Sequence, residues 1–464
     1  MSGKELLRGL AMLLVAVIAV ACGGDEPAPI ERVSPNVTSS SLESGSSDIG
    51  LEPFEIKLIY NRPVVEGDIT KVTLSPAKAL EVTLLNTTAR IAIVEELDYE
   101  TEYTLTVGGD AFIDKNTGGE CEPYTLTFRT IDAPYTPPTE PTKLLVMKNA
   151  MPATQRIYDY LWDIYGEKSL SGAMAKVAWN IDEAQWVYDN TGKWPAMATF
   201  DYIHLNFSPA NWIDYTNTTV AEEWWEAGGI VSAAWHWNVP ISQGSSTCAF
   251  YTDGNHFSAR RATEEGTWEN EVLKVDLAKM ADMLLLLQNK GIPVVWRPLH
   301  EAAGNIYEPW HGTAWFWWGN DGAEAYKKLW RTMFDYFTER GVNNLIWVWT
   351  TQLNDFEFYP GDEYVDIIGR DIYNVTNATD IRTQWDHINQ FFPHKIVSLS
   401  EMGNVSAYGA QLDAGAMWSY FMPWYDNDND YTAGYKHMHA DIAWWRNAFA
   451  DSRVITRDEL PSFK

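Results

Sequence analysis

Apolar and polar positions follow two different rhythms along this chain. From residue 143 onward, short apolar runs are separated by longer, more polar stretches. The runs are Lys168–Met174, Ala196–Phe200, Ile230–Trp237, Ile292–Leu299, Leu345–Thr350, Val365–Asp371, Lys395–Ser400 and Met417–Met422. Runs of this kind, apolar on both faces, predict strands of a buried parallel sheet. Between most of them the period lengthens to that of a helix, most clearly over Asp276–Lys290 and Ala323–Arg340. Eight such strand–helix units in residues 143–464 predict an α/β fold, a (β/α)8 TIM barrel with long loops. Residues 50–131 keep the other rhythm. Phe54–Tyr60, Lys71–Leu74, Arg90–Val94, Thr101–Val107 and Tyr124–Phe128 alternate with period two and are separated by turn residues. That pattern predicts a β-sandwich.

The leading and connecting segments differ in composition. Residues 132–142, with Pro134, Pro137, Pro138 and Pro141, predict a stiff linker, and residues 22–49, rich in Pro, Ser, Gly and acids, a flexible tether. Residues 1–21 read as a signal peptide: Lys4 and Arg8 precede the apolar run Leu10–Val20, which is too short for an ordinary membrane span. The run closes in Ile18-Ala19-Val20-Ala21-Cys22, which resembles a bacterial lipoprotein signal. The resemblance implies cleavage before Cys22 and lipidation of Cys22. It places the protein outside the cytoplasm, in the outer membrane of a Gram-negative bacterium and held there through the lipid anchor alone. The small and acidic residues Gly23-Gly24-Asp25-Glu26 favour the cell surface.

Composition narrows the chemistry. The formal charge is −29, which excludes nucleic acid as a partner. The 23 tryptophans exceed what packing usually calls for, and an indole face suits a sugar ring, so many of them are expected to line a carbohydrate cleft. Cys22, Cys121 and Cys248 form neither a disulfide framework nor a metal-ligand spacing. Asp426-Asn427-Asp428-Asn429-Asp430 alternates oxygen ligands as a calcium loop does. It has Tyr431 where that loop needs glycine and His437 where it needs an acid. A solvated loop is expected there, and no metal or cofactor.

The chemistry concentrates at strand ends. Ile292–Val295 runs into Trp296-Arg297-Pro298-Leu299-His300-Glu301, and Ile396–Leu399 into Ser400-Glu401-Met402-Gly403. Charged groups at the carboxyl ends of barrel strands mark an active site. By strand count Glu301 and Glu401 end the fourth and seventh strands, on opposite sides of the barrel mouth. Two such carboxyls fit glycoside hydrolysis: one donates a proton to the leaving oxygen while the other attacks the anomeric carbon. A separation of about 5–5.5 Å gives retention and a wider one inversion.

Four motifs, in order, resemble glycoside hydrolase family 26: Trp296–Glu301, Ala314-Trp315-Phe316-Trp317-Trp318-Gly319, Val365–Tyr373 and Ser400–Gly403. The resemblance implies a (β/α)8 domain over residues 143–464 and retaining endo-hydrolysis of β-1,4-mannosidic bonds in mannan, galactomannan or glucomannan, or in manno-oligosaccharides. It implies Glu301 as acid/base, Glu401 as nucleophile and Tyr373 as a hydrogen-bond donor to the nucleophile. Arg297, His300, His236 and Trp424 would contact substrate or orient the carboxylates, and Trp315 would be the sugar platform. Of Trp-Phe-Trp-Trp, the rest is expected to be core. Asn305–His311 is longer than the connection usual in the family, which bears on the leaving-group side of the cleft. β-1,3-Xylan and mixed-linkage β-glucan remain open as substrates of the same machinery. A glycan-capture lipoprotein without catalysis is the reading of another class. Tyr103–Val107, Asp114–Gly119 and Tyr124–Thr130 resemble a bacterial immunoglobulin-like domain, a module that usually acts as a spacer.

Overall fold

The two rhythms correspond to two compact units, Met1–Tyr135 and Thr136–Lys464. The computed structural model describes residues 31–464 except 134, 135, 139, 142, 210–212, 308–310 and 433. The signal peptide, Cys22 and the first part of the tether therefore lie outside the described residues, as do parts of the linker and of the 305–311 insertion.

The first unit holds β1 (Val37–Ser40), β2 (Ser46–Ile49), β3 (Phe54–Tyr60), β4 (Val64–Glu66), β5 (Val72–Ser75), β6 (Leu80–Leu85), β7 (Thr88–Ile93), β8 (Glu102–Val107), β9 (Phe112–Asp114) and β10 (Tyr124–Thr130). They form two four-stranded sheets, in the orders β1–β3–β7–β6 and β2–β10–β8–β5, with β4 paired to β9. Alternation does the packing. Ile56, Leu58 and Tyr60 of β3 are buried while Glu55, Lys57 and Ile59 face outward, and Leu105, Val107, Leu126 and Phe128 join the same core. This is the expected immunoglobulin-like sandwich.

Its start corrects the expected tether. β1 and β2 fall inside residues 22–49. β1 is antiparallel to β3, with Val37 opposite Tyr60, and β2 runs parallel to β10. Both are edge strands of mostly small polar residues, held by backbone hydrogen bonds more than by side chains, so composition conceals them.

The second unit holds β11 (Ser169–Met174), β12 (Met197–Asp201), β13 (Ile230–Trp235), β14 (Val239–Pro240), β15 (Cys248–Ala249), β16 (Val294–Pro298), β17 (Leu345–Thr351), β18 (Ile367–Tyr373), β19 (Ile396–Gly403), β20 (Tyr420–Pro423) and β21 (Val454–Ile455). Eight of them run parallel in the order β11–β12–β13–β16–β17–β18–β19–β20, and β20 pairs back to β11, so the barrel closes. β14 and β15 form a hairpin in the loop after β13, and β21 lies beside β11. All eight predicted strands are present.

Helices fill the crossovers. Ala323–Glu339 matches its prediction and stops at Gly341, whose φ of 78° no other residue adopts readily. The helix predicted from Asp276 begins earlier, at Trp268, where the Thr267 hydroxyl caps the Asn270 amide at 3.1 Å. Its first turn buries Glu269 and Asn270, polar residues that break the apolar period.

The tryptophans also require correction. Trp224, Trp235, Trp237, Trp296, Trp317, Trp318, Trp330, Trp347, Trp349 and Trp418 are each less than 2% exposed. A broad barrel with aromatic strands and helix faces uses indoles as core volume. Phe316, Trp317 and Trp318 are core, as expected.

Candidate active site

The carboxyl ends of the strands bring most of the expected residues together. Arg297, the penultimate residue of β16, is buried and forked. Its Nη1 donates to Glu401 Oε2 at 2.9 Å, its Nη2 to Asp371 Oδ2, and its Nε to Thr350 Oγ1 at 3.1 Å. Tyr373, at the end of β18, donates its hydroxyl to Glu401 Oε1 at 2.6 Å. Both oxygens of Glu401 are thus fixed by donors.

A bulge in β19 makes this possible. Gly369 and Asp371 of β18 face Ser398 and Glu401, so β19 carries one extra residue between the two pairs. Adjacent strand residues normally point to opposite faces. Here Ser400 Oγ donates to Asp371 Oδ1 at 2.8 Å while its neighbour Glu401 meets Arg297 and Tyr373, so both face the same site.

Glu301 is placed differently. It follows β16 in a turn where Leu299 and Glu301 have φ of 47° and 51°, left-handed values that cost a residue with a side chain about 1–3 kcal/mol. The turn is held from outside: the Trp318 indole donates to the His300 carbonyl at 2.9 Å, and the Tyr326 hydroxyl to the Leu299 carbonyl at 3.0 Å.

Electrostatics separate the two glutamates. Burial raises the Glu301 pKa well above the usual carboxylate range, and the negative charges of Asp371 and Glu401 raise it further against the pull of Arg297. Burial raises Glu401 too, but Arg297 and the Tyr373 hydroxyl draw it back. Of the two, Glu301 holds its proton and Glu401 carries the charge. Burial holds His300 neutral, its pKa pushed well down, with Arg297 and His236 acting the same way.

His236 stands just past β13. Its Nδ1 is 2.6 Å from Asp201 Oδ2, and its backbone amide donates to Asp201 Oδ1 at 3.1 Å. Its ring is edge-on to His300, with centroids 4.5 Å apart, and 5.8 Å from Trp424. Trp424 follows β20, tied through its amide to the Met402 carbonyl at 2.9 Å. Trp315 lies at the rim, 41% exposed, against Gly304. Sequence reasoning left Asp371, Asp201 and Tyr251 unassigned. The first two are acids near the end of β18 and at the end of β12, the same signal that marked the glutamates.

The calcium-like segment is the expected solvated loop only in part: Asn427, Asp428 and Asp430 are exposed. Asp426 and Asn429 are buried. Glu183, from the helix Asp182–Thr191, accepts Asn429 Nδ2 at 3.2 Å, the Asp426 amide at 3.4 Å and His437 Nε2 at 3.2 Å. His437 Nδ1 accepts the amides of His439 and Ala440, each at 3.1 Å. Side chains and amides occupy the carboxylate oxygens of Asp426, and no group of His, Cys, Asp and Glu suited to a metal occurs among the described residues.

Residues 146–459 match the family profile of Glycosyl hydrolase family 26, and residues 31–130 that of a bacterial Ig-like domain. A mannan endo-1,4-beta-mannosidase B of Piromyces sp is 34% identical over 328 residues, 69% of this chain and 54% of that protein. A mannan endo-1,4-beta-mannosidase of Bacillus subtilis (strain 168) is 32% identical over 249 residues, 49% of this chain and 66% of that protein. The chain spans about half the length of the first curated relatives it matches, 54%, 51% and 55% of three of them. Among solved structures, the GH26 domain of a Prevotella bryantii endo-beta-mannanase/endo-beta-glucanase is 40% identical with a TM-score of 0.64, covering 68% of this chain and 99% of that one. A beta-mannanase from a symbiotic protist of the termite Reticulitermes speratus, complexed with gluco-manno-oligosaccharide, is 34% identical with a TM-score of 0.58, covering 69% and 98%.

Proposed function

The chain belongs to glycosyl hydrolase family 26, and from that membership and the electrostatics of its site we propose that it is a retaining endo-β-1,4-mannanase acting on mannan, galactomannan or glucomannan. One observation carries the chemistry. Glu401 is gripped by Arg297 and Tyr373, while Glu301 has its pKa pushed well up by burial and by two neighbouring carboxylates. Two carboxyls pushed apart in this way divide into a nucleophile and an acid.

In the first step a Glu401 oxygen attacks the anomeric carbon, the glycosidic C–O bond breaks, and Glu301 gives its proton to the departing oxygen. As the Glu401 carboxylate becomes an ester its charge falls, and Arg297 and Tyr373 fix the oxygen that does not attack. Glu301, now ionised, takes a proton from water. That water attacks the anomeric carbon and Glu401 leaves as the carboxylate. Asp371 stays paired with Arg297 and Ser400 throughout, a fixed negative charge that favours the protonated form of Glu301 before each turnover.

The test is hydrolysis of mannan and galactomannan with product sizing and NMR of the first anomer released. Early internal cuts with the β-anomer first support the reading. Cleavage of β-1,3-xylan or mixed-linkage β-glucan instead would move the substrate within the same machinery, and binding without new reducing ends would remove catalysis. We also propose, from the leader sequence, that lipidated Cys22 anchors the enzyme on the outer surface of a Gram-negative outer membrane. Cys22→Ser should release it into the medium.

A further inference from the structure

The loop after β13 carries a side chain that the mechanism above does not use. Beyond the β14–β15 hairpin, Phe250 and Tyr251 lie along the segment that follows Glu301. Tyr251 bridges Phe316, Trp317 donates its amide to the Phe250 carbonyl at 3.1 Å, and Thr252 donates its amide to the Trp315 carbonyl at 2.9 Å. The Thr252 hydroxyl adds a bond to the Ala314 carbonyl at 2.6 Å. Two loops are thereby laced into one ribbon with Trp315 and Tyr251 on it.

The Tyr251 ring is rigidly seated yet open. It stacks on Phe316 at 5.6 Å and packs against Phe250 at 4.3 Å. Phe316 in turn touches His300 at 5.3 Å, and Phe250 touches His236 at 4.9 Å. Despite this packing Tyr251 is 55% exposed, and its hydroxyl has no hydrogen bond to protein among the described residues. Partial burial and then the charges of Glu301 and Glu401 raise its pKa, so the hydroxyl lies in the field of both carboxylates. Tyr425, next to Trp424, has a pKa pushed up to about 12 by burial and then by Asp201 and Tyr251, so the two tyrosines approach from the loops after the third and eighth barrel strands.

We propose that Tyr251 is a substrate-contacting residue: its ring covers a pyranose next to the scissile bond and its hydroxyl hydrogen-bonds a hydroxyl of that sugar. A core tyrosine would have its oxygen satisfied inside the protein, and an ordinary surface tyrosine would not be ring-stacked two steps from His236 and His300. Placed there, the side chain supplies a flat apolar face and one donor–acceptor group, which is what a hexopyranose offers in return.

The inference rests on the proposed glycoside hydrolysis, and the experiment keeps the two apart. Wild type, Tyr251→Phe and Tyr251→Ala are assayed on mannan and mannohexaose, and mannohexaose binding is measured by calorimetry in a Glu301→Gln background. Tyr251→Ala is expected to lose about tenfold or more in kcat/KM, mostly through KM, with Tyr251→Phe losing about three- to tenfold for one hydrogen bond. Affinity in the Glu301→Gln background should fall in parallel. If Tyr251→Ala also lowers Tm, the decision passes to Tyr251→Phe, which keeps the ring packing. Wild-type KM and affinity in Tyr251→Phe together with wild-type affinity in Tyr251→Ala would overturn the proposal. A wild type that neither cleaves nor binds mannan would overturn the mannanase reading instead.

Discussion

Two buried charge clusters sit at the carboxyl end of the barrel, and they are built on opposite rules. In the cluster around Glu183, acceptors find donors within the loop: His437, Asn429 and the Asp426 amide close on Glu183, while the Tyr435 hydroxyl and the Met438 amide close on Asp426 at 2.8 and 2.7 Å. In the cluster around Arg297, Glu401 and Asp371 bond the guanidinium, and Glu301 meets the positive charges of Arg297 and Arg370 through the field alone. A satisfied network holds a loop in place. A network short of one positive charge must keep a proton, and a proton kept at a cleft is an acid catalyst.

The sharpest way to separate the clusters is to delete a carboxyl from each. Glu401→Ala should abolish mannan hydrolysis by more than the loss of acid–base assistance alone, which is about 10²–10⁴-fold, and Glu301→Gln should fall within that range. Glu301→Gln should cost little stability. Glu183→Ala should do the reverse, lowering the free energy of unfolding by about 3–5 kcal/mol because it strands buried polar partners, with kcat changed far less. Urea unfolding and initial rates on the same preparations decide it, and a Glu183 variant as inactive as the Glu401 variant yet fully stable would erase the distinction.

Removing the shared cation should sharpen the contrast next. Arg297→Met should reduce kcat/KM by about 10²-fold through misplacement of Glu401. It should also move the pH profile. Activity needs Glu401 ionised and is lost as pH falls through its pKa. Arg297 lowers that pKa, so the variant's acid limb shifts to higher pH. Because both glutamates are raised, the wild-type window lies above that of ordinary carboxyls.

The shortage of charge has a stability signature as well. A Glu301 pKa raised in the folded state means the unfolded chain gives up this proton at lower pH. Above the unfolded value of about 4.3, folding stability therefore falls as pH rises toward the folded value. Glu301→Gln removes that loss. The variant should gain stability over wild type as pH rises above about 4.3, with a margin that widens until pH passes the folded pKa of Glu301 and is level beyond it, as read by Tm across pH.

The contrast also explains what was legible in the sequence. Apolar runs ending in Arg, His or Glu announced the strands, the barrel and both glutamates, because a charge at the end of a buried strand is unusual in one dimension. Asp371 stood in the same motif, yet its link to Arg297 and Ser400 depends on the extra residue in β19, which leaves no mark in composition. Glu183 and His437 are 254 positions apart and meet only once the barrel closes. Tyr251 sits in a loop without period, and the wealth of tryptophan pointed toward the cleft when most of it fills the core. β1 and β2 were hidden for the same reason as the Glu183 loop: polar side chains read as solvated until their partners are known.

The smallest expected effect concerns the rim, beside the charged side chains of the Arg297 cluster. Trp315 rests on Gly304 so closely that a Cβ there would lie 2.2 Å from the indole ring. Gly304→Ala must therefore displace the platform, while Glu301, whose carbonyl accepts the Gly304 amide at 2.9 Å, is also held in its turn by the bonds from Trp318 and Tyr326 to its two preceding carbonyls. An aromatic contact of about 1 kcal/mol corresponds to roughly fivefold in KM, and kcat should hardly move. If kcat falls instead with KM unchanged, the platform and the acid are mechanically one unit, and the rim belongs with the strained cluster rather than apart from it.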